Sequence, residues 1–206
     1  MSQHLSSSEQ TLTATDIRTA QAQRLWGLGV GSAAGCANFA SYLESIPEIP
    51  AALQADDPEL PLLVLVETRL GLKKLCDLGG IAFNGGGDDT FVAHDDRHLE
   101  FTVPTWIRVQ DGRRNRNRSV RDCRKTFGQG ELGLTAPQGV CTYLQHPQVV
   151  SEASQNGAHT MNLPGSVYRG DRADAACLGL WSGRPELIWD FDDYAYRHYG
   201  PASRRA

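Results

Sequence analysis

The sequence predicts a single mixed α/β domain, a central sheet with helices packed on it and a C-terminal β-hairpin. Three observations predict it. Two apolar runs, 175–181 and 186–191, flank a short Ser-Gly-Arg-Pro turn and read as antiparallel strands. An unbroken apolar stretch over 62–66 precedes a helical pattern over 70–78. Between these lie capped helical segments with apolar residues at i, i+3 and i+4.

The 206 residues suit one domain, taken as 15–206, able to bury a core without staples. Residues 1–14, polar and rich in Ser and Thr, read as a disordered tail without the charged flank and apolar stretch of a secretory signal. Hydrophobic residues make up 40% and charged residues 21%, a globular composition. The net charge of -4 gives no global bias toward nucleic acid or anionic lipid. Five cysteines are widely spread and never form Cys-x-x-Cys, which favours reduced thiols and a cytoplasmic location over a disulfide framework or zinc ribbon. The longest apolar run is too short to span a bilayer, so no membrane is implied.

Along the chain, Ile17, Ala20, Leu25 and Leu28 mark a first helix that Gly27, Gly29 and Gly31 end. Cys36, Phe39, Ala40, Leu43 and Ile46 mark a second, stopped by Pro47. The stretch 47–61 holds four prolines and the acidic residues Asp56, Asp57 and Glu59, and reads as a loop. The run over 62–66, the helix over 70–78 and a return at 81–83 together read as one β-α-β crossover. Val103, Thr105, Ile107 and Val109 alternate with Pro104, Trp106 and Arg108, as a half-buried strand does. A helix is expected over 119–127. Another starts at Thr135, whose hydroxyl, with Pro137 in the first turn and Gln138 at the capping-box position, makes an N-terminus. A strand over 159–163 leads to the hairpin.

Four groups of residues could carry chemistry. His94 and His98 stand four apart with Asp95 beside them, but the Glu and the long helix of a zinc protease are missing, so no metal is assigned. Residues 108–125 carry seven arginines and one lysine against two aspartates, a local net of +6, with Arg113, Arg114, Arg116 and Arg118 as the phosphate contacts of a nucleic-acid reading. Gly165, Ser166, Arg169, Gly170 and Arg172 could form a loop around an anion, although no P-loop or Rossmann pattern is present and no cofactor is implied. Asp190, Asp192 and His198, in a polar-aromatic stretch with Asp193, Tyr194, Tyr196 and Tyr199, could supply an acid, a base or a hard-cation ligand.

Three pieces resemble a family pattern. They are Ile107-Arg108-Val109-Gln110-Asp111-Gly112 with Asn117, then Leu134-Thr135 opening a helix through Gly139 to Pro147. The third is Gly165-Ser166 followed by Ala176-Cys177-Leu178-Gly179-Leu180 and Gly183-Arg184-Pro185-Glu186-Leu187. Together they are similar to a bacterial family of about this length known only as a domain of unknown function, best matched after Trp106. The resemblance implies an architecture and no activity. That family is usually acidic at the position of Gln138 and carries arginine at that of Val167, and it closes on Ser-Cys where this chain has Ser203-Arg204.

The leading expectation is a non-catalytic binding or regulatory module for a protein or small-molecule ligand. The second is an enzyme on a phosphorylated or anionic small molecule, with Arg169, Arg172 and Ser166 on the anion and Asp190, Asp192 and His198 as acid/base or metal groups. The third is nucleic-acid binding through 108–125.

Overall fold

In the computed structural model, which describes residues 13–98, 100–127, 130–152 and 158–206, the chain opens on a capped helix. The side chain of Thr13 accepts from the Asp16 N–H and the Asp16 carboxylate accepts from the Thr13 N–H, which closes the first turn of α1 (Ala14–Gly27). The expected tail therefore lies outside the described residues up to 12, and its last two positions, Thr13 and Ala14, belong to this helix. A short α2 (Val30–Ala33) follows. The next helix, α3 (Phe39–Ser45), starts later than its apolar spacing suggests because the Asn38 side chain caps it, leaving Cys36 outside. The proline-rich stretch holds one helical turn, α4 (Ala51–Gln54).

The strands divide into two sheets. The first has the order β1 (Leu62–Val66), β4 (Thr105–Gln110), β10 (Ser203–Arg205), β5 (Glu131–Gly133), and is antiparallel throughout. The second has the order β2 (Ala82–Phe83), β8 (Arg184–Phe191), β7 (Asp171–Trp181), β6 (Thr160–Tyr168), β3 (Phe91–Ala93). In it β9 (Tyr199–Pro201) lies parallel to the first half of β6. The expected β-α-β crossover is corrected: α5 (Leu72–Leu78) does follow β1, but β2 joins the other sheet and β1 pairs antiparallel with β4. The apolar run of β1 reflects helix cover, not a parallel neighbour.

That cover is α7 (Ala136–Gln145), which packs on β1 from one sheet, on β6 and β7 from the other, and on α1 and α5. Eight of its ten residues are buried, as expected of a helix enclosed on all sides. The predicted cap is present, with Thr135 N–H donating to Gln138 Oε1 at 3.2 Å and Pro137 in the first turn. One core runs from Leu25 and Tyr42 through Leu65, Leu75 and Val140 to Leu163, Leu178 and Leu187.

Two further expectations change. Strand β4 is buried on both faces, because Trp106 Nε1 donates to the Pro47 carbonyl and Arg108 Nε to that of Leu53, so the proline-rich stretch covers the face expected to be wet. Strand β6 does not end at Leu163. It continues through Pro164 and Gly165, where its register shifts and its partner changes from β9 to β3. Proline is tolerated there because a strand needs no ladder donor at an irregularity.

The hairpin between β7 and β8 matches its prediction. Ser182 and Gly183 both take left-handed φ, 52° and 76°, the two-residue turn that suits twisted strands. After β8 the chain returns as β9 in the second sheet, and the Leu134 N–H then donates to Ala202 O before β10 enters the first. The last residues thus tie the sheets together. Gly112 at the end of β4 meets Gly200 of β9 so closely that a β-carbon on either would overlap the other's backbone carbonyl.

Candidate functional site

Alternation along β4 places Trp106, Arg108 and Gln110 on one face; Trp106 and Arg108 lie beneath residues 47–60, and Gln110 bonds Pro201 and Ser203. Two other arginines reach the same place from different elements. Arg114 comes from the 3-10 turn Arg113–Asn115 after β4, and Arg205 from the end of β10. Three acids of the overlying strap meet them, and Arg114 is also held by Glu131 of β5. Asp57 pairs with Arg205, Glu59 Oε2 accepts from Arg114 Nη1 at 2.7 Å, and Asp56 stands 3.9 Å from Arg108. The strap is shaped by Asp57 itself, which accepts the N–H groups of Glu59 and Leu60. The Arg205 guanidinium beside it holds the Asp57 carboxyl below the usual carboxylate range.

Between strap and sheet lie two adjoining cavities of about 560 and 210 Å³, with Asp57 and Arg205 lining both. Arg114 and Glu131 line the larger and Arg108 the smaller. Arg108 is 6% exposed; its Nε donates to the Leu53 carbonyl at 2.9 Å, and a terminal nitrogen stands 3.9 Å from Asp56, whose carboxylate is fully exposed to solvent. A guanidinium carries five donors, and with the Leu53 carbonyl on Nε the terminal ones are open to the smaller cavity that Arg108 lines.

Of the nucleic-acid candidates, Arg114 lies in this groove and the rest are engaged elsewhere. Arg113 pairs with Asp111 and donates to Gln148 O. Arg116 donates to Ala158 O and His159 Nδ1. Arg118 bonds Asn115 and Thr126. Arg121 and Arg124 clamp Asp192, and Lys125 pairs with Asp122. The local excess of +6 is spread over carboxylates and carbonyls of the fold itself.

The anion loop is corrected, since Ser166 and Val167 are buried within β6. Ser166 Oγ accepts the Ala136 N–H at 2.9 Å and so serves the first turn of α7. Arg169 sits on an exposed turn against Asp89, and Arg172 donates to the His94 carbonyl. Asp192 is a structural carboxylate held by two arginines, with Arg124 Nη1 at 2.8 Å. Burial lowers the pKa of Arg124 to about 10, with Asp192 acting against the shift. Asp190 accepts its neighbour's N–H, from Phe191, and His198 packs against Tyr196 and Tyr199.

His94 and His98 lie in and beside a 3-10 turn, their rings 6.0 Å apart, and His98 Nδ1 bonds Asp95 at 2.9 Å. Among the described residues no three His, Cys, Asp or Glu side chains are grouped as metal ligands are.

A smaller crevice of about 150 Å³ opens where β1 ends, lined by Glu67, Thr68, Asp88, Glu100, Phe101 and Pro137. Glu67 is buried and held by Arg69, at 2.6 Å, and by the Tyr42 hydroxyl. Burial holds the Glu100 carboxyl above its ordinary pKa, opposed by Thr135 and Arg204.

Sequence reasoning missed the groove because its parts are far apart, at 56–59, 108–114 and 205. The legible signal was an acidic run and a basic run in one chain.

Fold and groove define a two-sheet α/β domain with a charge-lined groove on the smaller sheet. No family model matches the chain, and neither does any curated protein or solved structure. No helix among the described residues is long and apolar enough to cross a membrane.

Proposed function

We propose that the protein is a non-catalytic binding module whose groove receives an acidic segment of a protein partner. The observation that carries this reading is Arg108, its terminal donors open to a cavity beside Arg114 and Arg205. The strap supplies the chemistry of the guest. Asp56, Asp57 and Glu59 are an acidic peptide already lying along these arginines, so a partner segment of similar charge spacing meets the same donors.

The lining holds no cysteine, histidine or hydroxyl side chain among the described residues, which supports binding over nucleophilic turnover. The internal partners of Arg113, Arg116 and Arg118 favour this reading over nucleic acid, which needs cations free to face a phosphate backbone. Five free cysteines, four of them buried, support a reducing cytoplasmic setting.

Fluorescence anisotropy with a labelled hexaglutamate peptide tests the proposal. Saturable binding should weaken by about tenfold or more in an Arg114→Gln, Arg205→Gln double variant. Equal affinity in the variant, or no saturable binding in the native chain, rejects it.

A further inference from the structure

The crevice at the end of β1 is separate from the groove, and its charge is the reverse. Three carboxylates line it, and no lysine, arginine or histidine does among the described residues. Glu67 is neutralised by Arg69. Asp88 and Glu100 have no ion pair among the described residues. Two cations lie in the neighbouring elements, but Lys73 is held by Asp77 and Arg204 stands over the Phe101 ring at 5.3 Å, both outside the lining.

Packing sets the two free charges on different walls. Asp88 is fixed at the start of α5, where its Oδ1 accepts the Lys73 N–H at 2.7 Å. Its other oxygen fills the space that Gly71 leaves, and a β-carbon on Gly71 would overlap that carboxylate. Glu100 lies at the start of α7, beside Thr135. With Glu67 these acids do not converge as the ligands of one metal ion do. Much of the remaining wall is apolar, supplied by Leu70, Leu72 and Phe101.

Two hydroxyls are left over beside the carboxylates. Thr68 Oγ1 lies on the wall, and Thr135 Oγ1 belongs to a fully buried residue two positions before Pro137 of the lining. Both oxygens are shielded from solvent and have no hydrogen-bond partner among the described residues. An unpartnered buried hydroxyl is costly, and either one can accept from an ammonium. Desolvation holds Glu100 above its ordinary pKa, a shift that a cation beside it reverses.

We infer that the crevice binds a short aliphatic diamine, with one ammonium at Asp88, the other at Glu100 and Thr135, and the alkyl chain along Leu70, Leu72 and Phe101. A cavity of about 150 Å³ takes a molecule of about six non-hydrogen atoms, which is the size of 1,4-diaminobutane. Two carboxylates on separate walls select a ligand with a charge at each end.

Isothermal titration calorimetry on the full chain tests this with 1,4-diaminobutane, 1-aminobutane and 1,4-butanediol, which carry two, one and no charges on one chain length. The diamine should bind saturably with a dissociation constant below about 1 mM, the monoamine about tenfold more weakly, and the diol not at all. Glu100→Gln and Asp88→Asn keep the side-chain shape, and the amide oxygen in the second still accepts the Lys73 N–H. Each should weaken the diamine by about tenfold. In the native chain the backbone NMR resonances of Thr68, Gly71 and Phe101 should move with the same dissociation constant. No saturable binding, a monoamine or diol that binds as well as the diamine, unchanged affinity in both variants, or shifts confined to other residues would overturn the inference.

Discussion

The side-chain amide of Gln145 bonds both backbone groups of Leu65: the Leu65 N–H donates to Oε1 at 2.9 Å, and Nε2 donates to the Leu65 carbonyl at 2.7 Å. β1 is an edge strand, and this amide takes the place of the neighbour it lacks. The same edge is served at Leu63, whose carbonyl accepts from Gln21 Nε2 and His146 Nε2. A covered edge cannot recruit another chain, and its polar groups stay satisfied though dry.

Replacing Gln145 with leucine keeps the volume but orphans a buried N–H and a buried carbonyl. The expected loss is about 2–4 kcal/mol, read by urea denaturation. A loss near zero would mean that water reaches this edge.

The contact of Gly112 with Gly200 predicts a second sensitive point. Gly200→Ala must push two backbones apart where β4 meets β9. It should cost about 2–4 kcal/mol, with a lowered melting temperature, while the exposed turn glycine Gly86, with open space around it, should tolerate alanine at a smaller cost.

Asp192 separates a structural from a catalytic role. Removing its carboxylate leaves Arg124, itself buried, without its counter-charge. Asp192→Ala is therefore expected to destabilise by about 3–5 kcal/mol, measured by thermal or chemical denaturation. A stable Asp192→Ala protein would contradict the clamp.

His159 sets a pH dependence. It is fully buried, Nε2 donates to the Asp111 carbonyl at 2.7 Å, and Nδ1 accepts from Arg116, so the neutral ring is the form that fits. Burial lowers its pKa to about 4 from an ordinary 6.5. Below pH 6.5 the unfolded chain takes up a proton that the folded chain refuses. Stability from this group is therefore complete above about pH 6.5 and drains away as pH falls to about 4, by roughly 3 kcal/mol. His94, also lowered to about 4 by burial, acts in the same direction. Denaturation midpoints from pH 7.5 to 4 should fall, and His159→Gln should flatten the slope.

The strap predicts an affinity change of opposite sign to most surface variants. Asp57→Asn with Glu59→Gln removes the strap's competitors for Arg205 and Arg114, while Glu131 still holds Arg114, so hexaglutamate should bind tighter by up to roughly tenfold. The stability cost should be at most about 1 kcal/mol per pair, because Glu59 and Arg205 are largely exposed. Weaker binding in this variant would show that the strap builds the site instead of occupying it.

Local chemistry made much of this fold legible. The capping residues Thr135 and Gln138, the stop at Pro147 and the Ser182–Gly183 turn each act within a few residues, and sequence shows them directly. The partner of a strand is a long-range fact. The apolar run of β1 reads equally as a strand between parallel neighbours or as an edge sealed by a helix, and only Gln145, eighty positions away, distinguishes them. Ser166 illustrates the same limit. Beside two glycines it reads as part of an anion loop, yet its hydroxyl serves the buried start of α7. The groove was legible only as two complementary charge runs, since Arg205 joins them through the crossing of the last strand between sheets.

The most direct test of the acidic-segment groove follows the Arg108 Nε–H resonance while hexaglutamate is added. Arg108, Arg114 and Arg205 should shift together and saturate at one dissociation constant, because a single guest spans the two cavities. Movement of other arginines with Arg108 unmoved would contradict the account.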